Sequence, residues 1–148
     1  AKLTAHDVAA SDQFGFAVAI SGDSIVVGAN SKIGAVYVFV RSDETWTQKA
    51  KLTPDDAVAS DQFGRKVAIS GDTIVIGAYL DDNDGYANSG SAYVYHRSGG
   101  NWTQQAKLTA HDAAAGDHFG FDVAISGWLQ VINLALLWPF LGIPLIRC

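Results

Sequence analysis

A single cysteine, Cys148, stands among the 148 residues, so no disulfide can form within the chain and the redox compartment stays open. Methionine is absent, and the sequence begins at Ala1 inside a repeat, without a start residue or a leader. The expectation is a chain excised from something longer. Charge is scarce: only 17% of residues are charged, the formal net charge is −5, and Lys and Arg form no cluster. A nucleic-acid surface needs such a cluster, so that class of partner is set aside. Hydrophobic residues reach 49%, which excludes a disordered segment and is enough for the core of one ordinary domain. Helical periodicity is also missing from the repeating part of the chain.

What is present is repetition. Ala-Lys-Leu-Thr occurs at 1–4, 50–53 and 106–109. Residues 1–29 match 50–78 at 21 of 29 positions without a gap, and residues 1–22 match 106–127 at 18 of 22. Repeats spaced this way signal one supersecondary unit used several times. The second unit is longer by one loop, Tyr79 through Ser89, which replaces Asn30-Ser31-Lys32-Ile33. Loops tolerate such insertions because closure entropy grows slowly with length.

Each unit reads as four strands rich in Val, Ile, Tyr, Phe, Trp and Thr: Phe14 to Ser21, Ser24 to Ala29, Ala35 to Arg41 and Thr45 to Leu52. Ser21-Gly22-Asp23, Ser70-Gly71-Asp72 and Ser98-Gly99-Gly100 mark tight hairpins. In the first strand Phe14, Phe16, Val18 and Ile20 are assigned to one face. In the third, Val36, Val38 and Val40 oppose Tyr37 and Phe39. Apolar residues on both faces imply a sheet covered on both sides. The expected fold is all-β, with antiparallel four-stranded blades of the β-propeller type, about two and a half of them, forming an incomplete propeller. Residues 1–127 make up the repeats, with units starting at 1, 50 and 106.

Phe14-Gly15 with Val27-Gly28-Ala29, and Phe63-Gly64 with Ile76-Gly77-Ala78, resemble the Phe-Gly and Gly-Ala-Pro signatures of FG-GAP repeats, found also in integrin α-chains. The wider unit is similar to a variant common in large bacterial and algal surface proteins. The resemblance implies an extracellular or cell-surface location and a binding or adhesive role. Two departures stand out. Asn30 and Tyr79 occupy the Pro position, and the connection that carries calcium in integrin-type repeats is here only Ser-Gly-Asp, too short to wrap the ion.

A second acidic loop remains as a calcium candidate: with Gly85 as the turn glycine, Asp82, Asp84 and Asn88 fall at ligand positions, but Leu80 stands at the first. The favoured reading is an Asx-rich loop that caps its own turn, with no cofactor. Asp7, Asp56 and Asp112 recur in every unit, as do Asp12, Asp61 and Asp117. A catalytic acid has no reason to recur, so turn capping is expected of both sets. No histidine pairs with another at metal-ligand spacing. Trp46 and Trp102 recur as well and are assigned to packing between blades.

One position behaves differently. Ala17, Lys66 and Asp122 are equivalent and unlike one another, beside Phe16, Arg65 and Phe121. Variation on a constant frame is where a partner surface can be written, so Arg65, Lys66 and Asp122, with the Leu80–Ser89 loop, are the expected contacts for a protein or glycan ligand. The function expected is a non-catalytic extracellular binding or adhesion scaffold. The alternatives are part of a propeller hydrolase or lyase, or a structural spacer. Open blade faces would favour self-association.

After Gly127 the repeat breaks. Residues 128–148 are mostly apolar but carry Gln130, Asn133, Pro139 and Pro144. A reading-frame change or a misjoined exon is expected there, with a membrane span or a genuine apolar cap as the alternatives, although nineteen interrupted residues fall short of a clean crossing.

Overall fold

The computed structural model describes residues 1–7, 9–30, 33–56 and 58–126. The apolar tail at 128–148, with the reading-frame change expected there, lies outside the described residues, as does Gly127 at the end of the repeats. Among the described residues, eight strands form two four-stranded antiparallel sheets, and there is no helix. The first sheet runs in sequential order through β1 (Phe14–Ser21), β2 (Ser24–Ala29), β3 (Ala35–Ser42) and β4 (Thr45–Leu52). The second repeats it with β5 (Lys66–Ser70), β6 (Thr73–Ala78), β7 (Ser91–Ser98) and β8 (Asn101–Leu108). Four hairpins close over two residues, the first of which is left-handed in each: Gly22, Asp43, Gly71 and Gly99.

The sheets stack face to face. Val26, Val36 and Val38 of the first meet Ile69, Ile74, Ile76, Tyr93 and Tyr95 of the second in one buried cluster, with Leu52 and Phe63 completing it. Burial of each large side chain there contributes about 1.5–3 kcal/mol. On the far side of the first sheet, Val27, Tyr37 and Phe39 are covered by Leu3, Ala5, Phe14 and Trp46, while Val18 and Ile20 stay more than half exposed. That side is therefore only partly covered.

The assignment of Phe16 to the face of Val18 is corrected. The β1–β2 register shifts between Phe14 and Ala17, so Phe16 leaves the alternation and its ring lies against Arg65 of the second unit. A second irregularity recurs in both sheets, between Val38 and Phe39 opposite β4 and between Val94 and Tyr95 opposite β8. Lys49 and Gln105 are the extra residues. Each bulge reverses the alternation of its outer strand, placing Gln48 opposite Phe39 yet Ala50 opposite Val38. The first strand of the second unit is shorter than its counterpart and begins at Lys66; among the described residues no strand follows β8 in the third unit.

The signature residues join one unit to the next. A Cβ on Gly28 would collide with the carbonyl oxygen of Gly64, and one on Gly34 with the carbonyl of Phe63; one on Gly64 would lie 2.8 Å from the Ala35 oxygen. The same contacts recur between Gly77 or Gly90 and Phe119-Gly120 of the third unit. Phe-Gly of each unit thus seats on Gly-Ala of the one before, backbone against backbone, which only glycine allows.

Candidate functional site

The recurrent carboxylates divide into two kinds. Asp12, Asp61 and Asp117 each accept a hydrogen bond from the backbone N–H three residues earlier, at 2.7, 3.2 and 2.7 Å. They cap a turn whose residue just before Phe-Gly is left-handed every time: Gln13, Gln62 and His118. Asp7 and Asp56, by contrast, do not cap turns; they tie the chain to the outer strand. Asp56 accepts from Tyr93 Oη at 3.0 Å and from Lys107 Nζ at 2.6 Å, and buried Asp81 accepts from the same two groups at 3.0 and 2.7 Å. Asp7 pairs with Lys51, whose ammonium lies over the Tyr37 ring.

Burial alone would raise the Asp56 carboxyl, but hydrogen bonds from Lys107 and Tyr93 outweigh it and hold the group below the usual carboxylate range. Burial, and then the charge of Asp81, push the neighbouring Asp61 carboxyl up. Because the folded value of Asp56 is depressed, its stabilising contribution is complete above the unfolded pKa of about 3.9 and is lost as pH falls through the lower folded value. Asp56→Asn should therefore trail the wild type in urea midpoint at about pH 5, and the gap should close toward about pH 2.5. A gap that stays constant over that window would show that the Asp56 charge carries no stability.

The loop between β6 and β7 is held by its own side chains. Asn83, buried, donates to the Gly90 carbonyl at 3.0 Å and to Ser91 Oγ at 2.9 Å. Asp82 Oδ1 accepts from the Asn88 N–H at 2.7 Å, and both Asp84 and Asn88 are left-handed. Of the calcium candidates, Asp82 thus spends one oxygen on the loop's own backbone. Among the described residues no group of three His, Cys, Asp or Glu side chains gathers where a metal ion could sit. The loop also receives the third unit: the N–H groups of Gly116, His118 and Phe119 bond to the carbonyls of Ala87, Asn88 and Ser89 at 2.9, 3.2 and 2.8 Å.

The variable positions come together. Arg65 lies between the rings of its two equivalents, 5.6 Å from Phe16 and 5.3 Å from Phe121, with Tyr79 nearer at 4.7 Å. Its Nη1 donates to Tyr79 Oη at 3.3 Å, and its Nε is buried without a partner. Lys66 and Asp122, both exposed, face each other at 3.7 Å. Phe16 and Phe121 are each about half exposed. Tyr79 also packs edge-on against Phe121 and His118, at 5.2 and 5.4 Å. Arg65, Lys66 and Asp122 therefore form one row from unit to unit. The loop candidates Asp82, Asp84 and Asn88 belong to a separate, self-bonded turn. Sequence reasoning missed Tyr79 as a member of the row; an aromatic residue in a Pro position was its signal.

This is a repeat protein built of propeller-type antiparallel blades, each locked to the next through its glycines. The chain belongs to the FG-GAP repeat family: the family model matches residues 1–39, 46–95 and 102–132. No curated protein matches the chain. Among the described residues, no helix is long and apolar enough to cross a membrane.

Proposed function

We propose that the chain is a non-catalytic binding module of an extracellular adhesive protein, and that its ligand contacts lie on the row formed by Phe16, Arg65, Lys66, Phe121 and Asp122. One observation carries this reading. The glycines that repeat are consumed in joining one unit to the next, while two neighbouring positions that differ between units bring Arg65 between Phe16 and Phe121 and exposed Lys66 opposite exposed Asp122. FG-GAP repeats are typical of extracellular proteins, which supports the location. Aromatic side chains gathered around an arginine are among the groups that concentrate binding energy at an interface.

Lys66→Glu is a clean test, because an exposed ion pair such as Lys66–Asp122 contributes little to stability. The variant should keep its urea midpoint and lose about tenfold in affinity for immobilised extracellular-matrix glycoproteins and arrayed glycans. Unchanged binding would contradict the assignment of the row.

A further inference from the structure

We infer, resting on the reading above, that Arg65 with the rings of Phe16 and Phe121 forms a subsite for the carboxylate of an acidic polysaccharide. A guanidinium has five N–H donors and stays charged at every accessible pH. Arg65 spends one of them on Tyr79 Oη, and among the described residues no carboxylate lies within ion-pair distance of it. Every other arginine of the described residues has an acidic partner: Arg41 pairs with Asp23 and Arg97 with Asp72. The difference is one of position. Arg41 and Arg97 each stack on a tryptophan of an outer strand and pair with an aspartate of the first hairpin of their own sheet, whereas Arg65 is stacked on three rings and meets none.

Stacking orients the guanidinium plane without neutralising it. The result is a fixed cation whose side-chain entropy is already lost, in a chain of net charge −5. The strongest partner for its donors is a carboxylate, which can accept two parallel N–H bonds. Lys66 adds a second cation against the single carboxylate of Asp122, so the row is locally positive.

The flanking rings select the carrier of that carboxylate. Phe16 and Phe121, each about half exposed, lie on either side of Arg65. A pyranose ring bearing an acid group offers both a flat C–H face for a ring and a carboxylate for the cation. The side chain of an acidic peptide offers the carboxylate on a narrow methylene stem and leaves the rings bare. Arg65 and its two aromatic equivalents also recur once per unit, so successive sugars of a linear polymer would meet successive positions.

The test uses the full chain and three probes at about 50 mM salt, where such contacts are weakly screened: polygalacturonate, the neutral galactan made by reducing its carboxylates, and poly-L-glutamate. Calorimetry should find binding to polygalacturonate, none to galactan, and weaker binding to poly-L-glutamate. R65Q should weaken the polygalacturonate complex about tenfold, with R65K in between because it keeps the charge and loses the fork. Should R65Q lose its near-UV circular dichroism, F121A gives the same reading from an exposed ring and should also weaken binding.

Absence of polygalacturonate binding, equal binding of galactan, or a complex indifferent to both R65Q and F121A would overturn the inference. Equal or tighter binding of poly-L-glutamate would overturn it in favour of a peptide ligand. Matrix-glycoprotein binding that still depends on Lys66, without binding to polygalacturonate, would remove this inference and leave the proposed function standing. Loss of both dependences would remove both.

Discussion

Gly28→Ala should destabilise the protein by about 3 kcal/mol, far more than a surface Gly→Ala exchange normally does. The backbone of Gly28 is not in the left-handed region, so an alanine there carries no conformational strain. The whole effect is steric: its Cβ would occupy the place of the Gly64 carbonyl oxygen, a rigid backbone atom that a side-chain rotation cannot move. Relief requires separating the second unit from the first along their junction. Gly15 supplies the contrast within the same motif. A Cβ on Gly15 would meet nothing within 4 Å, and its φ is +93°, so Gly15→Ala should cost only backbone strain, about 1 kcal/mol. Urea titrations of the two variants, compared at equal slope, measure the difference. Equal losses would mean that the glycine-to-glycine seat does not hold the units together.

Phe63→Ala should cost about 4 kcal/mol. Phe63 is fully buried and stands edge-on to Tyr93 and Tyr95, with ring centroids 5.4 and 6.3 Å away. Its removal deletes both aromatic pairs and leaves a cavity at the centre of the packed sheets, where the two tyrosine rings are fixed by their own hydrogen bonds. Tyr93 Oη donates to Asp56 and Asp81, and Tyr95 Oη donates to the Thr53 carbonyl at 2.7 Å, so neither can move in to fill the space. Phe14 is the equivalent residue and packs on Tyr37 and Phe39 at 5.6 and 6.1 Å, yet it remains partly exposed. Phe14→Ala should therefore cost about half as much. The ratio, read from urea denaturation, separates packing between units from packing within one; a ratio near one would contradict the role given to Phe63.

The strands were legible because each rests on local chemistry. Alternating Val and aromatic residues fix β3, and Ser-Gly-Asp fixes the β1–β2 hairpin within two residues. The bulges were not legible. Nothing in Thr-Trp-Thr-Gln-Lys-Ala-Lys-Leu distinguishes a straight strand from one that reverses its faces at Lys49, because the reversal is set by what the neighbouring sheet requires of Ala50 and Leu52. The same limit applies to Phe16, which apolar alternation assigns to the face of Val18 and a register shift turns toward Arg65. Asp7 and Asp56 looked like turn caps because they recur; their partners Lys51 and Lys107 lie 44 and 51 residues away in sequence, beyond any local pattern. The variable row was legible as a set of equivalent positions. That Arg65 would be clasped by its two equivalents depends on how the units stack, which sequence alone does not contain.

If the repeated frame carries stability and the variable row carries binding, the two must separate in a single variant. The double variant R65F/K66A makes the second unit read like the first at these two positions. Its urea midpoint and its affinity for the immobilised matrix glycoproteins and glycans should be measured side by side with the wild type. The midpoint should be essentially unchanged and binding reduced by about tenfold or more. Binding that survives in a folded R65F/K66A protein would contradict that division of roles.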